Sequence, residues 1–322
     1  MLLALWMLAA DNPAGWNMHE GGLLKYRVQI RYGEEPATMP AGWNFGRVSA
    51  VATDAQGDVY VFHRAAKGID HLVVFDAKGH YSRSWGKETF ANPHGVRIDS
   101  AGHVWLVDNG DHTVRKYTRK GELLMALGKP GQHGATKDTF YRPTDIAFAP
   151  DGSFYVSDGY GNSRVVKFSK EGKYLLEWGK KGSGPGEFNL PHQVQLDSKQ
   201  RVWVSDRENN RIQCFDPSGK FLKQWNHLGA TQGIHILPND EMWIVTHRNN
   251  IENLTYDTLS GRIMKIDIET GKVLGSIESP GHWIHVTPKN EIFIGSLTGN
   301  VFRFYPAWLT QGLGVDEGQT KK

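Results

Sequence analysis

A six-bladed, all-β propeller is the fold that the sequence predicts, on three observations. A unit of four short strands recurs at intervals of 40–50 residues, the pitch of a propeller blade. The last copy lacks its outermost strand while the N-terminus carries a spare one. The composition, with 37 glycines and 11% aromatic residues in 322, suits many short strands joined by tight turns.

The units follow in order. The first opens at Ser49 with SAVATDAQGDVYVFHR and continues through HLVVFDAKG and YSRSWG. The second opens at His94 with HGVRIDSAGHVWLVD, then TVRKYTRKG and LLMALG. The third shows the frame most plainly: TDIAF, SFYVS, RVVKF and YLLEW follow Thr144, with an APDG turn where glycine takes a positive φ. The fourth opens at His192 with HQVQLDSKQRVWVSD, then RIQCFDPSG and FLKQWN. The fifth opens at Gln232 with QGIHILPNDEMWIVT and is interrupted by HRNNIENLTYDTLS, residues 247–260, before GRIMKIDIETG and KVLGSI. The sixth opens at His282 with HWIHVTPKNEIFIGS and stops after NVFRFY. The segment YRVQIRYG at 26–33 resembles the fourth-strand segment YLLEWG. It is expected to complete the last blade, closing the ring and removing the exposed edges of an open sheet. Residues 23–306 then form one propeller, between an extension (1–22) that could be a signal remnant and a tail (307–322).

Composition excludes some functions. A net charge of +3 gives no electrostatic case for nucleic acid. The single cysteine, Cys214, permits neither an intrachain disulfide nor a cysteine metal cage, and reads as a small buried strand residue. The apolar run MLLALWMLAA is too short to span a bilayer, and it lacks the basic start of a secretory signal. Localisation, exported or cytoplasmic, stays open.

The repeat phase gives the histidines meaning. The first strand of a propeller blade lines the central channel. The equivalent first-strand positions are Ser49, His94, Thr144, His192, Gln232 and His282, so histidine falls in blades two, four and six. Alternate blades of a six-membered ring lie about 120° apart, which directs the three imidazoles to the axis. Three neutral imidazoles with one position open form the ligand set of a catalytic zinc site. His285, three residues past His282, should point the other way on its strand, and His235 occupies the matching place in blade five.

Ends of the second strands supply the rim: His63 and Arg64, Asp108, Asp158 with Tyr160, Asp206 with Arg207, and His247. The aspartates are expected to accept backbone N–H bonds in neighbouring loops. Arg64 and Arg207 could orient a substrate carboxylate, with ion pairs to those aspartates as the rival reading. Tyr160, in SDGYGNSR, could serve as a general base beside cations and a metal.

Together FHR (62–64), PHG (93–95), PTD (143–145), SDGYGNSR (157–164), FNLPHQV (188–194), DRENNRIQCF (206–215) and IFIGS (292–296) resemble the peptidyl-α-hydroxyglycine α-amidating lyases, NHL-repeat propellers. The resemblance covers roughly residues 45–305. It implies zinc on His94, His192 and His282, Tyr160 as base, and Arg64 with Arg207 near a small-molecule or peptide substrate carrying a carboxylate. It also implies cleavage of a carbinolamide to an amide and glyoxylate; His247, from its place on the rim, is expected on the substrate side. The departures are specific. The family's third metal histidine precedes an aspartate that helps to hold calcium; here Trp283 follows, so the calcium donor set is incomplete. Trp203 stands where a disulfide partner of Cys214 would be. No monooxygenase domain is expected ahead of the propeller, so a separate monooxygenase could supply the substrate, or the scaffold could serve another small hydroxy acid. The 247–260 insertion could form a lid. Two other readings remain: a zinc hydrolase or lyase acting on another small carboxylate or carbonyl compound, and a non-enzymatic, protein-binding NHL propeller.

Overall fold

The computed structural model describes residues 22–29, 39–40, 43–246 and 261–307. His247 and the rest of the 247–260 insertion, the apolar N-terminal run and the tail beyond residue 307 lie outside the described residues. Six four-stranded antiparallel sheets follow one another, and each is one predicted unit. Blade 1 comprises β2 (Arg47–Thr53), β3 (Val59–Arg64), β4 (Leu72–Phe75) and β5 (Tyr81–Trp85). Blade 2 comprises β6 (Pro93–Ile98), β7 (Val104–Asp108), β8 (Thr113–Tyr117) and β9 (Leu123–Leu127). Blade 3 runs through β10 (Asp145–Phe148), β11 (Phe154–Asp158), β12 (Arg164–Phe168) and β13 (Tyr174–Trp178). Blade 4 runs through β14 (Pro191–Leu196), β15 (Val202–Asp206), β16 (Arg211–Phe215) and β17 (Phe221–Trp225). Blade 5 has β18 (Thr231–Ile236), β19 (Met242–Thr246), β20 (Arg262–Ile266) and β21 (Val273–Glu278). Blade 6 has β22 (Trp283–Val286), β23 (Ile292–Ser296) and β24 (Asn300–Pro306), with β1 (Tyr26–Gln29) as its fourth strand.

The closure expected from the sequence is present: β1 pairs antiparallel with β24, Tyr26 opposite Pro306 and Val28 opposite Phe304. Blade 6 also packs on blade 1, with Trp283, Phe293 and Val301 joining Val48, Val51 and Tyr60 in one apolar cluster. Other clusters fill the spaces between successive blades, such as Trp203, Ile212 and Cys214 of blade 4 against Ile234, Ile244 and Met264 of blade 5.

Strand position in the blade explains the hydrophobic pattern. Second strands are sandwiched on both faces, so VWLVD, FYVSD, VWVSD, MWIVT and IFIGS are buried throughout. Outermost strands such as LLMAL and YLLEW alternate between half-buried and exposed residues, the period-two pattern of a half-solvated strand. Cys214 is buried in β16 directly opposite Trp203, and burial pushes its thiol up to about 12. Among the described residues no helix is long and apolar enough to cross a membrane.

One feature of the inner strands positions the site. Their register slips between Val48 and Ala50, Pro93 and Gly95, Pro191 and Gln193, and Thr231 and Gly233. The extra residue is Ser49, His94, His192 or Gln232. A bulge inserts one unpaired residue and re-aims its side chain. In blades 3 and 6 the equivalent residues, Thr144 and His282, immediately precede the inner strand.

Candidate functional site

His94, His192 and His282 converge. Their ring centroids are 4.9–5.0 Å apart in all three pairs, and one ring nitrogen from each lies within 4.8 Å of the others. A common point therefore lies no more than about 2.8 Å from all three nitrogens. Zn–N bonds of about 2.0–2.1 Å need only a small inward movement of the rings.

The intervening blades fix the rings. Nδ1 of His94 donates to the carbonyl of Thr144 (2.7 Å), that of His192 to Gln232 (2.5 Å) and that of His282 to Ser49 (2.7 Å). Each acceptor is the equivalent residue of the next blade, so one contact repeats three times around the ring. A carbonyl can only accept, so the proton sits on Nδ1 and the Nε2 lone pair faces the axis. Outer-shell bonds of this kind orient metal-binding imidazoles. Burial, followed by nearby positive charge, holds His94 and His192 well below the usual histidine range. They are neutral, as ligation requires. On donor chemistry, tautomer and spacing, the triad fits a divalent ion.

Calcium does not fit beneath it. Calcium takes six to eight oxygen ligands, whereas a guanidinium occupies the layer under the triad. Arg97, on the inner strand of blade 2, lies 4.5 Å over the ring of Trp283 in blade 6. It also forms a two-point ion pair with Asp145 of blade 3, at 3.0 and 2.7 Å, with side chains 8% and 0% exposed. Trp283 stands between this arginine and His94, whose ring is 6.4 Å away. His235 and His285 form a separate buried pair 4.7 Å apart, and His285 bonds Thr53 rather than joining the triad.

Tyr160 reaches the triad. Its hydroxyl is 3.3 Å from Nε2 of both His94 and His192, and Arg207 donates to its oxygen at 3.4 Å. The DGYG loop is built to present this one side chain. A Cβ on Gly159 would lie 2.1 Å from the Pro191 carbonyl, and one on Gly161 would lie 2.1 Å from the Tyr141 ring. The amides of Tyr160 and Gly161 bond the carbonyls of Arg142 (3.3 Å) and Tyr141 (2.9 Å). An open cleft of ≈ 400 Å³ beside Tyr160 is walled by Asn162, Lys181, Asn189 and Leu190.

The rim aspartates are occupied by the scaffold. Asp108 accepts the amides of Ala91, Asn92 and Gly110. Asp158 pairs with Arg164 at 3.0 Å and takes the Tyr141 amide, while Asp206 pairs with Arg211 at 2.7 Å and takes the Asn189 amide. Their ion pairs thus go to Arg164 and Arg211, and not to Arg64 or Arg207. Arg64 donates to Ser49 Oγ (3.1 Å) and the Pro93 carbonyl (3.3 Å). Burial, then the repulsion of Arg47 and Arg142, pushes it below the usual arginine range. Arg207 pairs with Glu208 at 2.8 Å and leans on Gln232 Oε1 at 3.4 Å. His63 turns away into the blade, its Nδ1 accepting the Gly46 amide, and burial pushes it down to about 4.

Sequence reasoning missed Arg142, whose guanidinium lies 5.0 Å over the Tyr160 ring. Its signal was its place immediately before the proline that opens a blade, the place Leu190 holds in blade 4. Both residues carry a positive φ, 61° and 70°, a conformation side-chain-bearing residues adopt at a cost of about 1–3 kcal/mol.

A family model described as a six-bladed β-propeller matches residues 136–253, and one for the NHL repeat matches residues 90–117. Mouse peptidyl-glycine α-amidating monooxygenase is 37% identical over 195 residues, 51% of this chain and 20% of that one. The peptidyl-α-hydroxyglycine α-amidating lyase 2 of Drosophila melanogaster is 34% identical over 193 residues, 52% and 47% of the two chains. Human NHL repeat-containing protein 3 is 35% identical over 196 residues, 57% and 54%. The chain therefore spans about half the length, or less, of these curated relatives. Among solved structures, a streptogramin B lyase superposes with a TM-score of 0.60 over 87% of this chain and 97% of that one, at 14% identity, a likeness of fold alone. The chain is a six-bladed β-propeller with an NHL repeat at residues 90–117, and about half of it is similar to the peptidyl-α-hydroxyglycine α-amidating lyases.

Proposed function

We propose that the protein is a metal-dependent lyase that cleaves the C–N bond of an N-acyl-α-hydroxyglycine, releasing an amide and glyoxylate. One observation carries the reading. In a chain homologous to amidating lyases, three buried imidazoles present Nε2 to a common point, with the Tyr160 hydroxyl 3.3 Å from two of them. His94, His192 and His282 would hold zinc or another borderline divalent ion, which would supply Lewis-acid polarisation of the substrate hydroxyl. Arg64 and Arg207 grip the substrate carboxylate and so fix its α-carbon beside Tyr160. Tyr160, entering the reaction as the phenolate beside the Arg207 and Arg142 guanidiniums, accepts the hydroxyl proton to become the phenol, the O–H electron pair becomes the second C=O bond of glyoxylate, and the C–N pair leaves with nitrogen. The same proton returns from Tyr160 to that nitrogen, giving the neutral amide and leaving the protein unchanged. The cleft beside Tyr160 offers room for the acyl group. A separate monooxygenase would make the carbinolamide by hydroxylating a glycine α-carbon.

The test is glyoxylate release from α-hydroxyhippurate by metal-replete protein. Equal amounts of glyoxylate and benzamide are expected; metal-loaded protein that releases neither contradicts the reading. Similar identity to human NHL repeat-containing protein 3, a name that states a repeat and no reaction, favours a non-catalytic binding propeller as the second reading. That reading predicts no glyoxylate and no stoichiometric metal.

A further inference from the structure

Three guanidinium groups face one phenol at the mouth of the channel, and a fourth stands behind one of them. Arg207 touches the Tyr160 hydroxyl, Arg142 lies over its ring, Arg64 stands on blade 1, and Arg47 lies directly across the strand pair from Arg64. Arg47 and Arg142 each repel the Arg64 charge. Among the described residues, one carboxylate in ion-pair range answers these four, Glu208 on Arg207. The nearby aspartates are committed to backbone amides, Arg164 and Arg211. Like charges gathered this way repel one another, and a facing anion relieves the cost.

One substrate carboxylate accounts for Arg64 and Arg207, which leaves Arg142. It is exposed, but its backbone is locked. Its amide donates to His112 Nδ1 at 3.2 Å, its carbonyl accepts the Tyr160 amide, and its φ is 61°. The strained backbone aims the side chain at the reacting face, where an arginine on a relaxed loop would sweep through solvent.

We propose that Arg142, within the field of Arg47 and Arg64, forms a second anion subsite, so that the preferred substrate carries a second carboxylate on its acyl group. The inference rests on the lyase reading for what it says about turnover, but the subsite itself can be measured by binding alone.

Two unreactive glycine analogues lacking the α-hydroxyl separate the two ideas: N-succinylglycine, with two carboxylates, and hippurate, with one. By calorimetry the dicarboxylate should bind the metal-loaded wild type roughly fivefold more tightly than hippurate. That preference should fall close to one in Arg142→Gln, survive in part in Arg142→Lys, and shrink as salt rises. Turnover of the corresponding α-hydroxyglycines should show the same selectivity ratio, in which any loss acting through Tyr160 cancels. Equal binding of the two analogues to wild type overturns the subsite, as does a preference that Arg142→Gln leaves intact. If the dicarboxylate is preferred but neither hydroxyglycine is cleaved, the subsite stands and the lyase reading falls.

Discussion

Two layers of the same channel treat positive charge in opposite ways. The layer of His94, His192 and His282 gathers three imidazoles, a donor set for a cation. The layer below carries its cation covalently, as Arg97 clamped by Asp145 and capped by Trp283. Both are buried on inner strands and both link several blades. The difference teaches that burial in the channel does not by itself make a metal site; the donor set does. Carbonyl-fixed imidazoles can accept an ion, whereas the paired guanidinium already neutralises its carboxylate. Metal and chelator should therefore act on the upper layer alone.

The largest effect should come from breaking the upper layer. His192→Ala is expected to abolish metal binding and lower lyase activity by a thousandfold or so, read by elemental analysis and glyoxylate release, with the β-sheet circular dichroism retained. Breaking the lower layer should do the converse. Arg97→Met leaves Asp145 buried without its partner, at a cost of about 3 kcal/mol in urea unfolding, while metal stoichiometry stays as in the wild type. Calcium chelation of the wild type should leave its melting temperature unmoved; a fall would show a calcium site that the Arg97 layer does not explain.

Tyr160→Phe sharpens the upper layer further. It should reduce kcat about a hundredfold with metal occupancy intact; a loss of metal instead would make Tyr160 structural. Acid acts on the buried histidines of both layers, and His285→Asn isolates the share of the lower one. Burial is the first cause that pushes His285 down to about 3, and His235 well below the ordinary range, with Arg97 adding to both. Their folded pKa values are depressed, so their contribution to stability is complete above about pH 6.5. It is lost as pH falls from there towards about 3, because the unfolded chain takes up protons the native one refuses. The slope is about 1.4 kcal/mol per pH unit for each histidine, measurable as urea midpoints at pH 7.5 and 5.0, and His285→Asn should remove one such share. Smallest of all should be Ser49→Ala. Ser49 serves His282 through its carbonyl, so metal content should hold and activity should change less than threefold, through the lost Arg64 bond alone.

Much of this was legible in the sequence because repetition makes exceptions visible. Histidine at three of six equivalent positions stood out once the units were aligned, and the spare strand at Tyr26 matched the gap after Tyr305. The bulges were hidden, since a slipped register has no residue signature when His, Ser and Gln can all occupy it. The partners of the imidazoles were hidden for a similar reason: backbone carbonyls of Thr144, Gln232 and Ser49 carry no side-chain identity. Arg97 carries no local signal in HGVRID, because nothing in that segment tells that its partners are Asp145 of blade 3 and Trp283 of blade 6. Arg142 was lost beside its proline, where a turn is the simplest expectation. The rival reading of Arg64 and Arg207, as partners of the rim aspartates, gives way because Arg164 and Arg211 sit closer on the neighbouring strands.

Metal content per chain, in protein purified without added metal, tests the central claim most directly. About one divalent ion per chain is expected, retained in Arg97→Met and lost when any one of His94, His192 or His282 becomes alanine. A chain that binds no ion when supplied with zinc, or one whose ion persists in His192→Ala, would contradict it.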